Sequence, residues 1–256
     1  MPLIRRLIAM AAVDRSLVNG IFSSAATNAV KSGDDFWAKY DKTQVNSMKE
    51  MCIAVDENDN AIEPRSKKDC HLMENINKGL IHRAFSVLIF NSNKEFLLTR
   101  RSPTKITFPG CFTNACCSHP LHTSLEKDEN DAIGVKRAAQ RRLQIELGID
   151  PLQVPLSDIE YITRILYKAP SSDIWGEAEI DYVLVVRKDV ELKPNPDEVD
   201  QIRYFSKDQL KSFLNNNSIK VSPWFKLMVD RFLYDWWNNL DNLSKFKDHK
   251  TIYKLI

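Results

Sequence analysis

The amino-acid sequence predicts a single α/β domain, and three observations support this fold class. A chain of 256 residues with 43% hydrophobic content is large enough to bury one substantial core. Segments with the apolar pattern of strands and segments with that of helices are interleaved along the chain. Neither an internal repeat nor a second linker interrupts the pattern, so we expect one domain.

The composition excludes several classes of protein. The net charge is +2, from 36 basic and 34 acidic residues spread through the chain, so nucleic acid is not expected as the main partner. The five cysteines are odd in number and irregularly spaced, unlike the framework of a small disulfide-rich secreted protein. We therefore expect a reducing compartment.

The N-terminal extension, residues 1–44, contains a segment with the composition of an organelle transit peptide. Four basic residues precede residue 34 among Ala, Ser and apolar residues, and Asp14 is the only acid there. The run LIAMAAV is too short to span a bilayer, and stable membrane insertion is not expected. We predict a mitochondrial location, with a cytoplasmic location and a non-functional extension as alternatives.

The strands are assigned from apolar runs and the turn residues that bound them. After a short helix before residue 50, MCIAVDENDN predicts a strand that runs into a turn. HRAFSVLIFNSNKEFLLTRR predicts a hairpin around Asn-Ser-Asn. The loop SPTKITFPG follows, and CFTNACCSHP is predicted as a short strand or extended stretch. YITRILYKA and EAEIDYVLVVRK predict two more strands.

Three longer segments have the spacing of helices. In NDAIGVKRAAQRRLQIELGI, an Asx residue near Asn130 is expected to cap the start and Gly148 to end the helix. SKDQLKSFLNN and SPWFKLMVDRFLYDWWNNL predict two helices that close the domain.

The segment EAEIDY concentrates three acidic residues at the start of an apolar run. As a strand, it directs Glu177, Glu179 and Asp181 to one face. The continuation VLVV is typical of an interior strand covered on both faces, and carboxylates at the mouth of such a strand need partners. The alternative is a solvated loop before the strand, and the spacing alone does not decide between them.

The first of the three predicted helices carries an acidic residue on its apolar face. Glu146 falls on the same stripe as Val135, Ala139 and Leu143. A carboxylate in that position is costly unless it is paired or bound to a metal. Alternatively, Glu146 reaches past the core edge or pairs with an arginine within helical reach.

The segment CFTNACCSHP holds three of the five cysteines and one of the five histidines. Its C-x4-C-C spacing lacks the C-x2-C pair of structural zinc sites, and a bridge between adjacent cysteines needs strained geometry. In an extended backbone, Cys117 and His119 share one face, and Cys116 and Ser118 share the other. One thiol then lies beside one imidazole; alternatively, both adjacent cysteines are small buried apolar groups.

Several of these segments resemble one known family. KKDCHLMENINKGLIHRAFSV, TNACCSHP, WGEAEIDYVL and SPWF, in this order, are similar to motifs of type I isopentenyl-diphosphate delta-isomerases, divalent-metal enzymes of the Nudix-like fold. The resemblance covers residues 45–256, taken as the isomerase domain. It implies an α/β (α+β) fold, a mixed β-sheet sandwiched by helices, with additional N- and C-terminal helical segments.

The resemblance also implies a reaction and a set of site residues. The reaction converts isopentenyl diphosphate to dimethylallyl diphosphate and back, through a carbocation-like intermediate, in isoprenoid biosynthesis. Matching the catalytic positions are Cys117, Glu179, Tyr167 and Trp224. Matching the substrate-binding positions are Lys67, Arg101, Lys105 and the backbone of Ser118. Matching the metal-binding positions are His71, His82, His119, Glu177 and Glu179.

The helix around Glu146 distinguishes the isomerases from the hydrolases of this fold. RRLQIELGI stands where the hydrolases carry REUXEEXGU, yet Arg142 and Ile145 replace two of the glutamates. The resemblance makes the remaining Glu146 a ligand of Mg2+ bound with the diphosphate. A second divalent metal, Mg2+, Mn2+ or Zn2+, is expected at the histidine and glutamate site.

The expected partner is a small prenyl diphosphate, and we expect the protein to be a monomer. Two alternative functions remain open. One is a Nudix-type diphosphate hydrolase, which the missing glutamates disfavour. The other is a non-catalytic, metal-stabilised binding module.

Overall fold

The computed structural model describes residues 36–255 of the chain. Residues 40–256 form one compact unit, and only residues 36–39 are described of the other unit, Met1–Lys39. The predicted transit peptide lies outside the described residues. In residues 36–255, no helix combines the length and the apolar character that crossing a membrane requires.

Ten strands and several helices make up the described part of the chain. The strands are β1 (Met51–Val55), β2 (Ala61–Ser66), β3 (Ile81–Phe90), β4 (Phe96–Arg101), β5 (Phe112–Thr113), β6 (Cys116–Ser118), β7 (Ile159–Pro170), β8 (Gly176–Arg187), β9 (Val199–Phe205) and β10 (Ile252–Lys254). The α-helices that lie wholly within this part are α1 (Lys42–Ser47), α2 (Lys67–His71), α3 (Met73–Asn77), α4 (Ile133–Leu147), α5 (Lys207–Leu214), α6 (Pro223–Met228) and α7 (Tyr234–Asn238).

All ten of these strands belong to one mixed sheet. Its main path is β10-β7-β8-β3-β1-β2; off this path, β4 and β6 pair with β3, and β5 and β9 pair with β4. Strands β3 and β8 are parallel, with His82 opposite Glu179, whereas β7 and β8 are antiparallel. The mixed sheet implied by the resemblance is therefore confirmed.

Strand β8 is buried along almost its whole length. Of its residues, only Arg187 is exposed. Leu184 and Val186 belong to an apolar cluster shared with α4, and Val183 and Val185 to a second cluster shared with α5, α6 and α7. The prediction of an interior strand covered on both faces is confirmed, and helices lie on both sides of the sheet.

Two predicted elements are interrupted. The strands of the predicted hairpin share one registered pair, Phe90 with Phe96, because β3 then pairs with β6 and β4 pairs with β9. The C-terminal helix is divided into α6 and α7 by a π-helical turn, Val229–Leu233. The sequence pattern does not reveal β2 or β9, because β2 is almost wholly exposed and β9 buries only its two end residues, so neither strand shows apolar alternation.

The start of helix α4 corrects one prediction. Asn130 does not cap the helix, because a 3-10 turn intervenes and Asp131 and Ala132 adopt φ angles of 50° and 52°. The carbonyl oxygen of Asp128 instead accepts a hydrogen bond from the Gly134 N–H at 2.8 Å. A backbone carbonyl thus does what the Asx side chain was expected to do.

The end of helix α4 confirms the prediction for Gly148. Its φ of +64° lies in the left-handed region, and its N–H donates to the carbonyl of Gln144 at 3.1 Å. A Cβ at this position would lie 2.4 Å from the carbonyl oxygen of Lys193. Glycine is needed here for both its backbone freedom and its small size.

We predict that Gly148→Ala destabilises the protein more than Gly110→Ala. Gly110 has a similar φ of +69°, but nothing lies within 4 Å of its Cβ position. Both variants incur backbone strain of about 1–2 kcal/mol, and only Gly148→Ala adds the clash. Urea unfolding measures both free energies, and equal losses would show that the Lys193 contact has no energetic weight.

Candidate active site and metal centre

One cavity gathers most of the residues that the sequence singled out. Of the thirteen predicted site residues, ten line it: Lys67, His71, Arg101, Lys105, Cys117, Ser118, His119, Glu177, Glu179 and Trp224. The other three, His82, Tyr167 and Glu146, lie behind this lining and contact its members.

Three imidazoles and one carboxylate converge in this region. The ligand atoms of His71, His82, His119 and Glu179 lie within 4.8 Å of one another, and all four residues are buried. Helix α2 ends at His71, His119 follows β6, and the parallel register places His82 beside Glu179. Glu179 Oε1 is 2.8 Å from His119 Nε2 and 3.2 Å from His82 Nε2.

The chemistry of this group fits a divalent metal ion. Neither ring nitrogen of the buried His82 has a partner of hydrogen-bonding geometry in the described part of the chain. Burial lowers the pKa of His71 well below its usual value and that of His119 to about 3, so both rings are neutral, the form in which imidazole binds metals. Such imidazoles with a carboxylate form an ordinary donor set for divalent transition metals.

The carboxylate of Glu179 is held in its ionised form. Burial alone would raise its pKa, but the hydrogen bond with His119 and the contact with His82 outweigh it and hold the pKa well below its usual value. Its second oxygen, Oε2, is 2.5 Å from the Tyr167 hydroxyl. Tyr167 and the histidines therefore fix the two oxygens of Glu179 separately.

Glu177 lies beside this group. Its Oε1 is 3.9 Å from His71 Nε2 and accepts a hydrogen bond from Thr107 Oγ1 at 3.0 Å. Its Oε2 is 2.8 Å from the Tyr167 hydroxyl. Burial, and then the charge of Glu179, raise the pKa of Glu177 to about 7. Its role as a metal ligand stays a prediction.

The three acidic residues of EAEIDY all lie within β8 and are buried, so the alternative of a solvated loop is wrong. The third of them, Asp181, accepts a hydrogen bond from Ser86 Oγ at 2.7 Å. Ser86 Oγ also lies 3.7 Å from Cys117 Sγ. Alternation along β8 predicts the face on which Asp181 lies but not its partner, because Ser86 belongs to β3.

The thiol of Cys117 lies in a polar recess at the edge of the second apolar cluster. Its Sγ accepts a hydrogen bond from Trp224 Nε1–H at 2.9 Å, and its S–H donates to Asn114 Oδ1 at 3.0 Å. Burial, followed by the charge of Asp181, raises the pKa of Cys117 to about 12, so the thiol is protonated at neutral pH. Its neighbour Cys116 packs into the first cluster instead.

Basic side chains line another part of the cavity. The guanidinium of Arg101 donates to the carbonyl oxygen of Thr107 at 2.8 Å and lies 5.5 Å from the ring centroid of Trp224. Lys67 and Lys105 are largely buried. Burial lowers the pKa of Lys105 to about 8.

A buried ion-pair network lies behind the basic residues. Glu146 Oε1 accepts hydrogen bonds from Arg142 at 2.9 and 2.7 Å, so it has the arginine partner that one alternative foresaw. Glu198, which the sequence pattern does not single out, lies 3.4 Å from Arg142 and 2.5 Å from Lys105. These cations outweigh burial and lower the pKa of Glu198 to about 2. A metal-binding role for Glu146 stays a prediction.

We predict that Glu198→Gln destabilises the protein by about 3–5 kcal/mol, because it leaves Lys105 buried without a counter-charge. The matched control is Glu57→Gln, which removes an exposed pair with Lys254. That control should cost less than about 1 kcal/mol. Urea unfolding at neutral pH measures both, and similar losses would contradict the prediction.

The same pair predicts a pH dependence. Because the folded-state pKa of Glu198 is lowered to about 2, its contribution to stability is complete above the unfolded pKa of about 4.3. The contribution is lost as the pH falls toward 2. The difference in unfolding free energy between the wild type and Glu198→Gln should therefore shrink across this window.

Comparisons with known proteins identify the family. The NUDIX domain profile matches residues 80–225. Isopentenyl-diphosphate Delta-isomerase 1 of Mesocricetus auratus is 55% identical over 218 residues, which cover 84% of this chain and 96% of the relative. The Bos taurus protein of the same name is 54% identical over the same shares. An isopentenyl-diphosphate delta-isomerase of Aspergillus fumigatus is 46% identical over 95% of this chain and 91% of its own. By this identity and coverage, the chain belongs to the isopentenyl-diphosphate delta-isomerases, within the NUDIX family.

Proposed function

We propose that the protein interconverts isopentenyl diphosphate and dimethylallyl diphosphate by moving a carbon-carbon double bond. One observation carries the proposal: the same cavity holds a protonated thiol, Cys117, and an ionised carboxylate, Glu179. The similarity to isomerases over most of the chain supports it.

The reaction needs one group that gives a proton and one that takes a proton. An unactivated alkene is a very weak base, so the acid has to be held against it in a dry pocket. The protonated Cys117 is the group that gives a proton, and the ionised Glu179 is the group that takes one. In the reverse reaction the two residues exchange these roles. The partners described above set the two states, because histidines stabilise the carboxylate and burial disfavours the thiolate.

The residues that would hold the first metal are His71, His82, His119 and Glu179, with Glu177 beside them. A divalent cation bound there supplies positive charge that favours the ionised form of Glu179. Mg2+, Mn2+ and Zn2+ are each compatible with these donors. We propose that Glu146 contributes to a second, Mg2+ site that is completed by the diphosphate.

The diphosphate would lie against Lys67, Arg101, Lys105 and the backbone of Ser118, which line the same cavity. Charge-assisted hydrogen bonds from such cations are the strongest contacts available to a diphosphate. Lys105 Nζ forms an ion pair with Glu198 Oε2 at 2.5 Å. A diphosphate therefore competes with Glu198 for this lysine, and the exchange keeps the buried ammonium paired.

The aromatic ring of Trp224 is suited to stabilise the carbocation-like intermediate. Proton addition to the alkene produces positive charge on a tertiary carbon, which water would quench. Trp224 is buried and presents its ring to the cavity, where Phe108 packs against it at 5.3 Å between ring centroids. An aromatic face stabilises a desolvated cation by up to about 2 kcal/mol, and the apolar surface excludes water.

Hydrolysis of a diphosphate is the less supported function. Of the three glutamates of the hydrolase pattern, only Glu146 is present, and both of its hydrogen bonds from Arg142 use the same oxygen. Arg142 replaces another of these glutamates and adds positive charge where a hydrolase gathers carboxylates for its metal ions. Release of pyrophosphate from prenyl diphosphates would favour this second function.

We predict that Cys117→Ala and Glu179→Gln each reduce turnover by at least about 100-fold, because each removes a proton-transfer group. Proton NMR of isopentenyl diphosphate incubated with protein and Mg2+ measures the isomerisation. Cys111→Ala is the control, since this half-buried thiol lies outside the cavity lining and should leave turnover unchanged. Full activity in Cys117→Ala would refute the proposal.

We also predict that removal of divalent metal by a chelator abolishes turnover, and that the purified protein retains metal in a His82-dependent manner. Elemental analysis after gel filtration should show bound metal in the wild type and a loss of it in His82→Ala. His122→Ala provides a control, because this half-buried histidine is not part of the convergent group. Equal metal content in His82→Ala and the wild type would exclude the site.

A further inference from the structure

Asn114 lies between β5 and β6 and has no access to solvent. Its Nδ2 donates to two backbone carbonyls, Val87 at 3.1 Å and Cys116 at 3.0 Å. Because both N–H groups of the amide are used in this way, its orientation is fixed. Its Oδ1 therefore faces the Cys117 thiol.

Three donors meet at this oxygen. The S–H of Cys117 lies at 3.0 Å, the Nε1–H of Trp224 at 3.2 Å and the Oγ1–H of Thr113 at 3.1 Å. The Trp224 N–H also reaches Cys117 Sγ at 2.9 Å. The amide, the indole and the thiol therefore contact one another in a closed triangle.

We propose that Asn114 is a positioning residue for the isomerisation: it accepts the S–H of Cys117 and so fixes the thiol rotamer and the direction of its proton between turnovers. This inference rests on the proposed function of Cys117 in proton transfer. Asn114 does not touch the substrate in this scheme and transfers no proton itself.

The arrangement lets the proton be released at low cost. A thiol is a weak donor, so its bond to Oδ1 is readily given up. When the S–H turns away from Asn114 toward the alkene, Oδ1 still accepts from Trp224 and Thr113. No buried acceptor is then left without a donor, which would otherwise cost about 1–3 kcal/mol. After the reverse transfer, the fixed oxygen returns the S–H to the same direction.

Raman spectroscopy of the S–H stretching band tests the bond itself. The Cys117 band is obtained from the difference between the wild type and Cys117→Ala, without substrate. We expect it at a lower frequency than the band of an unbonded thiol, and we expect it to shift to a higher frequency in Asn114→Ala. A wild-type band at the unbonded frequency would overturn the proposal, even if Asn114→Ala does not fold.

Kinetics test the consequence. We expect Asn114→Ala to lower kcat by about tenfold or more, the effect of losing one hydrogen bond, with KM changed by less than about threefold. The matched control is Thr99→Val, because Thr99 Oγ1 donates to the backbone carbonyl of Asn114 at 2.9 Å and supports the same turn without contacting Oδ1.

The two variants separate positioning from a general structural role. Thr99→Val should leave both the S–H band and kcat close to wild type. Equal losses of kcat in both variants, or an unchanged kcat in Asn114→Ala, would overturn the positioning role. If the wild type does not isomerise isopentenyl diphosphate, the proposed function fails, and the S–H band still reports whether Asn114 holds the thiol.

Discussion

The parallel pairing of β3 with β8 is the constraint on which the rest of the structure depends. In this register, His82 lies opposite Glu179, and β6 on the other side of β3 places Cys117 opposite Ser86. A slip of one residue would turn every side chain of a strand to the other face. The register is fixed by the apolar half of β8, whose residues are buried in core clusters on both sides. Core packing thus positions the chemical groups.

Buried charge is the main cost of this site, and three of its buried glutamates have specific partners that offset this cost. Glu179 has imidazoles, Glu177 has Tyr167 and Thr107, and Glu198 has Lys105 and Arg142. Unpaired buried charges would strongly destabilise the fold. The contacts that offset this destabilisation also set the protonation states of the glutamates. Burial raises the pKa of Cys117, whereas the histidines reverse the effect of burial at Glu179.

Helix α4 shows how a scaffold related to hydrolases is adapted. Arg142 replaces an acidic position of the hydrolase pattern and bonds both Glu146 and Glu198. This converts a carboxylate cluster suited to several metal ions into a network of ion pairs. Since Lys105 belongs to the same network, the charge balance of the basic part of the cavity depends on α4.

The sequence by itself determined the elements whose pattern is local. Alternation in EAEIDY and CCS separates the groups that face the site from those that face the core, because side chains of a strand alternate with a period of two. The end of α4 at Gly148 was also predictable, since only glycine adopts its φ readily. The resemblance to isomerases supplied the candidate ligands, but not their geometry.

Only the tertiary structure decided which of these groups meet. His71, His82 and His119 are 11 and 37 residues apart in sequence, and they converge because a helix end and two strands do so. Glu198 carries no local signal, and its partners come from distant segments. Asn114 belongs to the recognised motif, yet its part in holding the thiol depends on two backbone carbonyls that fix its amide. The prediction of an Asx cap at the start of α4 was wrong for the same reason, because the backbone carbonyl of Asp128, in the preceding loop, takes the place of the side chain. Local sequence patterns determine the face of the strand or helix on which a side chain lies, whereas long-range backbone pairing determines which residues it contacts there.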